Sequence, residues 1–444
     1  MRAPTTANGH IWALCAVLMA IAVVGYWGSN SRLLGPPLGP SLPKDARAYV
    51  RAGADLTAGR SLYDRALTYG NRPEIGSFLG WDEGTSYYVY PPVLAVLTAP
   101  LAFVSEGLVI RLWISVSMLL IAASALMVLA MVSEGISVRG PAWSSLAIII
   151  FFTFYPTQNV LQTGNIDALI LFLLTLTYWS YRRRHPAAAL AFAAAIAIKP
   201  QLALLSAFFL WKGQWRFVFA AAVVTAGLVV ASFGVAGWHQ FWDYMDVNRA
   251  YTVGAVMRAY PVNQSTHGAA IRLFTENDYI QPLFVAPFLA QLIPIVVGLL
   301  AAAAWVTTMS ARDNRERPSD FIEFGFTITT MTLVLPYLGE NQLLWLLMPL
   351  TGMLFASLQA TRIRNRVVFS SLTLLLLLYL GFPDLHDAIW KGWEARAFEG
   401  RLVDQRYLLF AATYVYGLIP LSLLTMLYLR RARSAPWCEP VAAV

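Results

Sequence analysis

Cysteine is nearly missing from this chain. Among 444 residues there are two, Cys15 inside an apolar run and Cys438 close to the C-terminal end. Two thiols so placed exclude a disulfide framework and a thiolate metal site. Charge is scarce as well, at 13% against 58% hydrophobic residues, and the mean hydropathy is +0.58. Soluble domains carry about a quarter charged residues, so lipid must solvate most of the chain. The five histidines, His10, His185, His239, His267 and His386, are scattered. Walker loops, dinucleotide fingerprints, His-Glu-x-x-His and Gly-x-Ser-x-Gly are all missing. So is Asp-x-Asp, which removes the usual metal site for a nucleotide-sugar donor. No soluble domain, tandem repeat or low-complexity tail is visible.

What is present is a series of apolar runs, near 11–29, 107–133, 142–157, 166–181, 217–237, 283–309, 321–337, 343–359, 367–382 and 407–429. A helix crosses a bilayer in ~20 residues, and shorter runs extend into their flanks. The expected architecture is an all-α polytopic membrane protein, a single integral domain over 1–444 with 10 full spans plus a short helix pair, about 12 transmembrane segments. The run from Ile11 to Gly28 has Arg2 alone as a positive flank and no small-x-small cleavage site, so it reads as a retained helix rather than a signal peptide. Between 187 and 211, two short apolar stretches flank Lys199-Pro200-Gln201. Each is too short for a comfortable span, leaving a re-entrant hairpin or two tilted spans as the alternatives.

The net charge of +8 is not a nucleic-acid patch, because the basic residues fall in short clusters between apolar runs. These are Arg2, Arg139, Arg182-Arg183-Arg184, Lys212 with Arg216, Arg312 with Arg315 and Arg317, Arg362 with Arg364 and Arg366, and Arg430 with Arg431 and Arg433. Placing all of them in the cytoplasm requires no forced assignment and puts both termini inside. Three loops, 30–106, 238–282 and 383–406, then face the other side. They are rich in Trp, Tyr, His, Asp and Asn. Trp238, Trp242, Trp390 and Trp393 in them suit either sugar stacking or an interfacial aromatic belt. Residues 91–104 suit an interfacial helix opened by Pro91-Pro92.

Polar residues gather on this same side. Asp45 and Tyr49 are four apart and share a helix face. An ordinary aspartate is ionised at neutral pH and accepts a hydroxyl proton when geometry brings one within reach; the plainer reading is a helix-start carboxylate, or an ion pair with Arg47 or Arg51. Lys199 stands between two apolar half-helices. An ammonium there is costly and points to function, with snorkelling as its plainer account. The break at Pro200 frees backbone groups, as where a segment lines a polar cavity, and a lipid-linked phosphate is a natural counter-ion. Further clusters are Gln158-Asn159 with Gln162, Gly164-Asn165-Ile166-Asp167, Asn263-Gln264-Ser265-Thr266-His267 with Arg272, and Gly339-Glu340-Asn341-Gln342. Each alone suits a cap or loop; together they suit one pocket holding hydroxyls and a phosphate.

Six segments carry a family resemblance: Asp45-x3-Tyr49, Gly59-Arg60-Ser61-Leu62-Tyr63, Tyr88-Val89-Tyr90-Pro91-Pro92 with Pro100-Leu101, Gln162-Thr163-Gly164-Asn165, Ala197-Ile198-Lys199-Pro200 and Asn263-Gln264-Ser265. In this order they resemble glycosyltransferase family 87, the bacterial polyprenyl-phosphate-sugar-dependent transferases of the GT-C superfamily. The resemblance implies a GT-C fold in the bacterial cytoplasmic membrane, with an extracytoplasmic active site. It implies Asp45 as general base, Lys199 and Arg272 on the donor phosphate, and no metal or other cofactor. Tyr49, Tyr90, Gln162, Asn165, Asn263, Gln264, Ser265, His267, Asn341 and Gln342 would line a sugar or acceptor pocket. The partners implied are a polyprenyl-phosphate sugar, commonly mannose, a lipid or glycan acceptor, and membrane lipids. Inverting single displacement of a β-linked donor would give an α-linked product. Where family members often carry a histidine before a late helix, this chain reads Gly339-Glu340-Asn341-Gln342-Leu343; Asn341 and Gln342 hydrogen-bond but take no charge. The alternatives are a transporter or flippase for a lipid-linked saccharide, and a non-catalytic scaffold. Transporters place ionisable groups at the midplane of paired repeats, whereas here they collect in loops on one side.

Overall fold

The computed structural model describes residues 43–70, 87–133, 141–253, 259, 263–277, 281–311, 318–358, 360, 362–381 and 413–434. The expected helix at 11–29, the loop 383–406 with Trp390 and Trp393, and both cysteines lie outside them. Regular structure among the described residues is helical.

Helix α1 (Lys44–Thr57) turns Ala46, Tyr49, Val50 and Gly53 inward, the spacing of one helical face. The short α2 (Asp64–Gly70) follows it in the chain, and α1 packs against α3 (Val93–Thr98), which tightens into a 3-10 turn over Ala99–Phe103. Pro91 and Pro92 have no N–H to lose at the start of α3. The Tyr88 hydroxyl caps that start, donating to Pro91 O (2.6 Å) and accepting from Ala95 N–H (3.1 Å). A Cβ on Gly53 would lie 2.7 Å from the Thr98 backbone, so only glycine lets α1 and α3 approach this closely. Thr98 Oγ1 then reaches Tyr49 O at 2.9 Å.

The remaining helices form the bundle: α4 (Glu106–Ser133), α5 (Pro141–Thr153), α6 (Tyr155–Thr163), α7 (Asp167–Arg182), α8 (Ala187–Ile198), α9 (Ser206–Trp211, after a 3-10 turn over Pro200–Leu205), α10 (Trp215–Ala236), α11 (Gln240–Val253), α12 (Thr266–Phe274), α13 (Pro287–Thr308), α14 (Pro318–Val334), α15 (Leu347–Leu358, after a 3-10 turn over Glu340–Leu346), α16 (Ile363–Gly381) and α17 (Thr413–Ser434). Among the described residues five helices are long and apolar enough to cross a membrane, and six if α5 and α6, bent by 62°, make one span. The expected total of twelve exceeds this count. Expected spans at 166–181 and 321–337 are α7 and α14, helices of 16 and 17 residues. The protein is a multi-pass membrane protein whose hydropathy runs inside out. The 340–358 segment is 89% buried, while α10 and α13 are 17% and 11% buried and turn Phe219 and Leu299 outward.

The 187–211 segment resolves into two short apolar helices broken at Lys199, which Pro200 holds in an extended conformation (φ −128°, ψ 91°). The segment leaves the C-terminal end of α7, meets Asp167 at the N-terminal end of α7, and returns. Lys212 then joins Asp320 (2.6 Å), which also accepts from the Tyr178 hydroxyl (3.0 Å). Tyr178 lies about 16 Å along α7 from Asp167 by helical rise. The path is out and back along α7.

Candidate active site

A cavity of about 520 Å³ opens where α1, α6, α7, the Lys199 break, α11 and the 335–342 segment converge. Asp45, Tyr49, Tyr90, Asn165, Lys199, Asn341 and Gln342 line it, as do Lys44, Asn159, Asp167, Tyr244, Asn248, Tyr337 and Glu340.

Asp45 occupies the first turn of α1, where the helix dipole favours an anion. Arg47 and Arg51 turn instead to Glu106, at 3.4 and 3.7 Å. The Asp45 Oδ2 accepts from Asn165 Nδ2 at 2.8 Å. Asn165 is itself fixed, since its Oδ1 accepts the Asp167 N–H at 3.0 Å. The amide therefore has one end on the backbone of α7 and the other on the α1 carboxylate. A carboxylate offers about four lone-pair sites, so this bond leaves it able to accept a substrate hydroxyl as well.

Gly164 makes the approach possible. It ends α6 in the left-handed region (φ +67°), and a Cβ there would stand 2.5 Å from the Ala46 Cβ. Trp113 Nε1 donates to Gly164 O at 2.9 Å, and the Ile166 N–H reaches the Tyr49 hydroxyl at 3.2 Å. Burial above all, then Tyr90 and Asp45, hold the Tyr49 phenol well above its ordinary range, so it stays a neutral donor. That hydroxyl lies 3.4 Å from the Tyr90 hydroxyl.

Lys199 is buried, and its Nζ donates to both oxygens of Asp167, at 2.7 and 2.9 Å. Trp345 Nε1 also donates to Asp167 Oδ1, at 3.1 Å. The Tyr90 and Trp345 rings flank the ammonium with centroids 5.7 and 5.4 Å away. On the wall formed by the 340s, Asn159 Nδ2 bridges Glu340 Oε2 (3.2 Å) and Asn341 Oδ1 (2.9 Å). Gln342 Oε1 accepts the Gly339 N–H at 3.1 Å. Burial, then the Asp45 and Glu340 carboxylates, raise the Tyr337 phenol, which keeps it protonated.

The other sequence candidates sit elsewhere. Asn263 Nδ2 and Ser265 Oγ donate to Pro336 O, at 3.2 and 2.9 Å. The Asn263 Oδ1 accepts the Leu338 N–H, and Gln264 N–H reaches Leu338 O at 2.8 Å. These residues brace the back of the 335–339 wall. Arg272 is fully buried and donates to Asn263 O at 2.8 Å; burial lowers its guanidinium to about 9, still cationic at neutral pH. His267 is half-buried on α12, and Gln162 is exposed. Neither lines the cavity, nor do Trp238 and Trp242, which are exposed. Asp167 and Glu340 were named in the sequence as members of polar stretches without a role. A carboxylate in the first turn of a helix reads as a dipole partner, and only the tertiary pairing with Lys199 sets Asp167 apart.

Searching curated proteins gives no match to the chain. The family comparison gives one, to glycosyltransferase family 87 over residues 88–336. The matched stretch carries Tyr90, Asn165, Asp167 and Lys199; Asp45 and Tyr49 precede it, and Glu340 to Gln342 follow it. It covers more than half of the chain, and the protein therefore belongs to glycosyltransferase family 87, whose members are membrane enzymes of the GT-C fold.

Proposed function

We propose that this glycosyltransferase moves a hexose, mannose by family resemblance, from a polyprenyl-phosphate donor to a lipid or glycan acceptor at the extracytoplasmic face. Membership of a glycosyltransferase family sets aside the flippase and scaffold readings. The observation that carries the finer proposal is that Asp45, oriented by Asn165, and Lys199, oriented by Asp167, line one cavity.

The step is an inverting single displacement without a metal. An acceptor hydroxyl oxygen attacks the anomeric carbon and its proton passes to Asp45. The bond from that carbon to the phosphate oxygen breaks, and its electron pair leaves with the polyprenyl phosphate. The remaining N–H of Lys199 meets the charge that develops there. The phenols of Tyr49 and Tyr337, kept protonated, serve as neutral hydrogen-bond donors, and Asn341 as a neutral partner for sugar hydroxyls.

The test is transfer of label from radiolabelled polyprenyl-phosphate mannose to native membrane lipids by the purified full chain, beside Asp45→Asn. Positioned general bases contribute about 10²–10⁴-fold, so the variant should lose turnover by that order while keeping its thermal unfolding profile. Equal transfer by both proteins removes Asp45 as the base. Transfer from no polyprenyl-linked sugar removes the donor assignment.

A further inference from the structure

We infer that Asp167 is a positioning residue that masks part of the Lys199 charge, so that the polyprenyl phosphate left after transfer is held weakly enough to depart. This rests on the reading of Lys199 given under the proposed function.

The pair is built for this. Asp167 is fully buried and Lys199 is 5% exposed, and the lysine lines the cavity. An ammonium has three donors, and Asp167 takes two of them, at 2.7 and 2.9 Å. One N–H is left for a ligand. The carboxylate does not follow the lysine about. The Trp345 indole holds its Oδ1, and its own backbone N–H is tied to Asn165. Its negative charge is therefore a fixed part of the wall.

The reaction changes the charge of what faces that wall. The donor is a phosphodiester carrying one negative charge. The leaving polyprenyl phosphate is a monoester, and such groups carry about −1.5 to −2 near neutral pH. A bare ammonium, stripped of water, attracts the more highly charged product more strongly than the donor. An enzyme relying on it alone would be stalled by its own product. A fixed carboxylate under 3 Å from the ammonium repels each ligand in proportion to its charge, so it weakens product binding more than donor binding. Asp167 thereby trades affinity for release.

The experiment compares the full-length wild type with Asp167→Asn. It measures the affinity for polyprenyl monophosphate by direct titration, and the time course of sugar transfer. The variant should bind the monophosphate tighter, on the order of tenfold. It should also show a burst, a first turnover faster than the steady state that follows and larger in amplitude than any in the wild type. Folded Asp167→Asn that binds product no tighter than wild type, or that shows no burst beyond that of the wild type, overturns the inference. If that variant does not accumulate as folded protein, Asp167→Glu, which keeps the charge but displaces it, should tighten product binding by a smaller factor. Unchanged or weaker binding there is equally decisive against it. Lys199→Gln should abolish the gain in either background. A wild type that neither binds polyprenyl monophosphate nor uses any polyprenyl-phosphate sugar fails the proposed function itself, a result distinct from these.

Discussion

At the scale of single residues, Asn165 joins the two charged halves of the cavity. Its carboxamide orientation is dictated from both ends, by the Asp167 N–H on the oxygen and the Asp45 carboxylate on the nitrogen. A hydrogen bond to a charged group is worth about 1.5–3 kcal/mol. Asn165→Ala should therefore lower kcat by roughly ten- to a hundredfold with KM little changed. Steady-state kinetics in an Asp45→Asn background supply the check, because an orienting residue costs nothing further once its carboxylate is gone; full multiplicative loss there would sink the role. Asn165 and Lys199 stand out in the sequence because each is polar at the margin of an apolar run, where polarity is costly. Asp45 and Tyr49 lie in the expected loop 30–106 and stand out only by their helical spacing and the family resemblance. The Asn263-Gln264-Ser265 stretch and Arg272 carry the same signal, yet they meet backbone groups of the 335–339 wall and of each other. A sequence shows that a polar group needs partners. It does not show whether those partners are backbone or ligand.

At the scale of elements, the two arms of 187–211 are each anchored by a lysine, Lys199 at the turn and Lys212 at the base. Lys212 is buried between Asp320 and Glu323, 2.6 Å from each, and ties α9 to α14. Removing one member of a buried ionic cluster leaves the others uncompensated, at about 3–5 kcal/mol. Lys212→Met should lower the midpoint of thermal unfolding markedly, and adding Asp320→Asn should recover part of the loss. An unshifted midpoint for Lys212→Met would mean that the cluster contributes no stability. The break at Lys199 was visible beforehand, since Pro200 forbids helical continuation. Two other features were not. Runs 166–181 and 321–337, expected to extend into their flanks, form helices no longer than the runs themselves, 16 and 17 residues. The run starting at 142 bends by 62° where Pro156 opens a new helix. Hydropathy records which residues avoid water and is silent on where a helix turns inside protein.

At the scale of the whole molecule, the charged groups divide between the two ends of α7. One end holds Asp45, Asp167, Lys199 and Glu340; the other holds Lys212, Asp320, Glu323 and the Arg182–Arg184 run. The basic-cluster rule predicts that the Asp45 end is extracytoplasmic and the Lys212 end cytoplasmic. In a Cys15→Ser, Cys438→Ser background, Ala58→Cys should react with a membrane-impermeant maleimide in intact cells, and His185→Cys only after permeabilisation. The reverse pattern would put the cavity in the cytoplasm. The spacing of the two ion clusters along the chain also sets an order of assembly. Asp167 is made 32 residues before Lys199, so the counter-charge of the apical lysine already stands in the preceding helix when that lysine must leave water. Lys212 precedes Glu323 by 111 residues, and Asp320 is as late. During synthesis, then, the apex of the hairpin can be neutralised as it emerges, while its base must wait in the headgroup layer until α14 arrives. The apex can thus be neutralised first, the base is latched when α14 arrives, and the 335–342 wall that completes the cavity follows both.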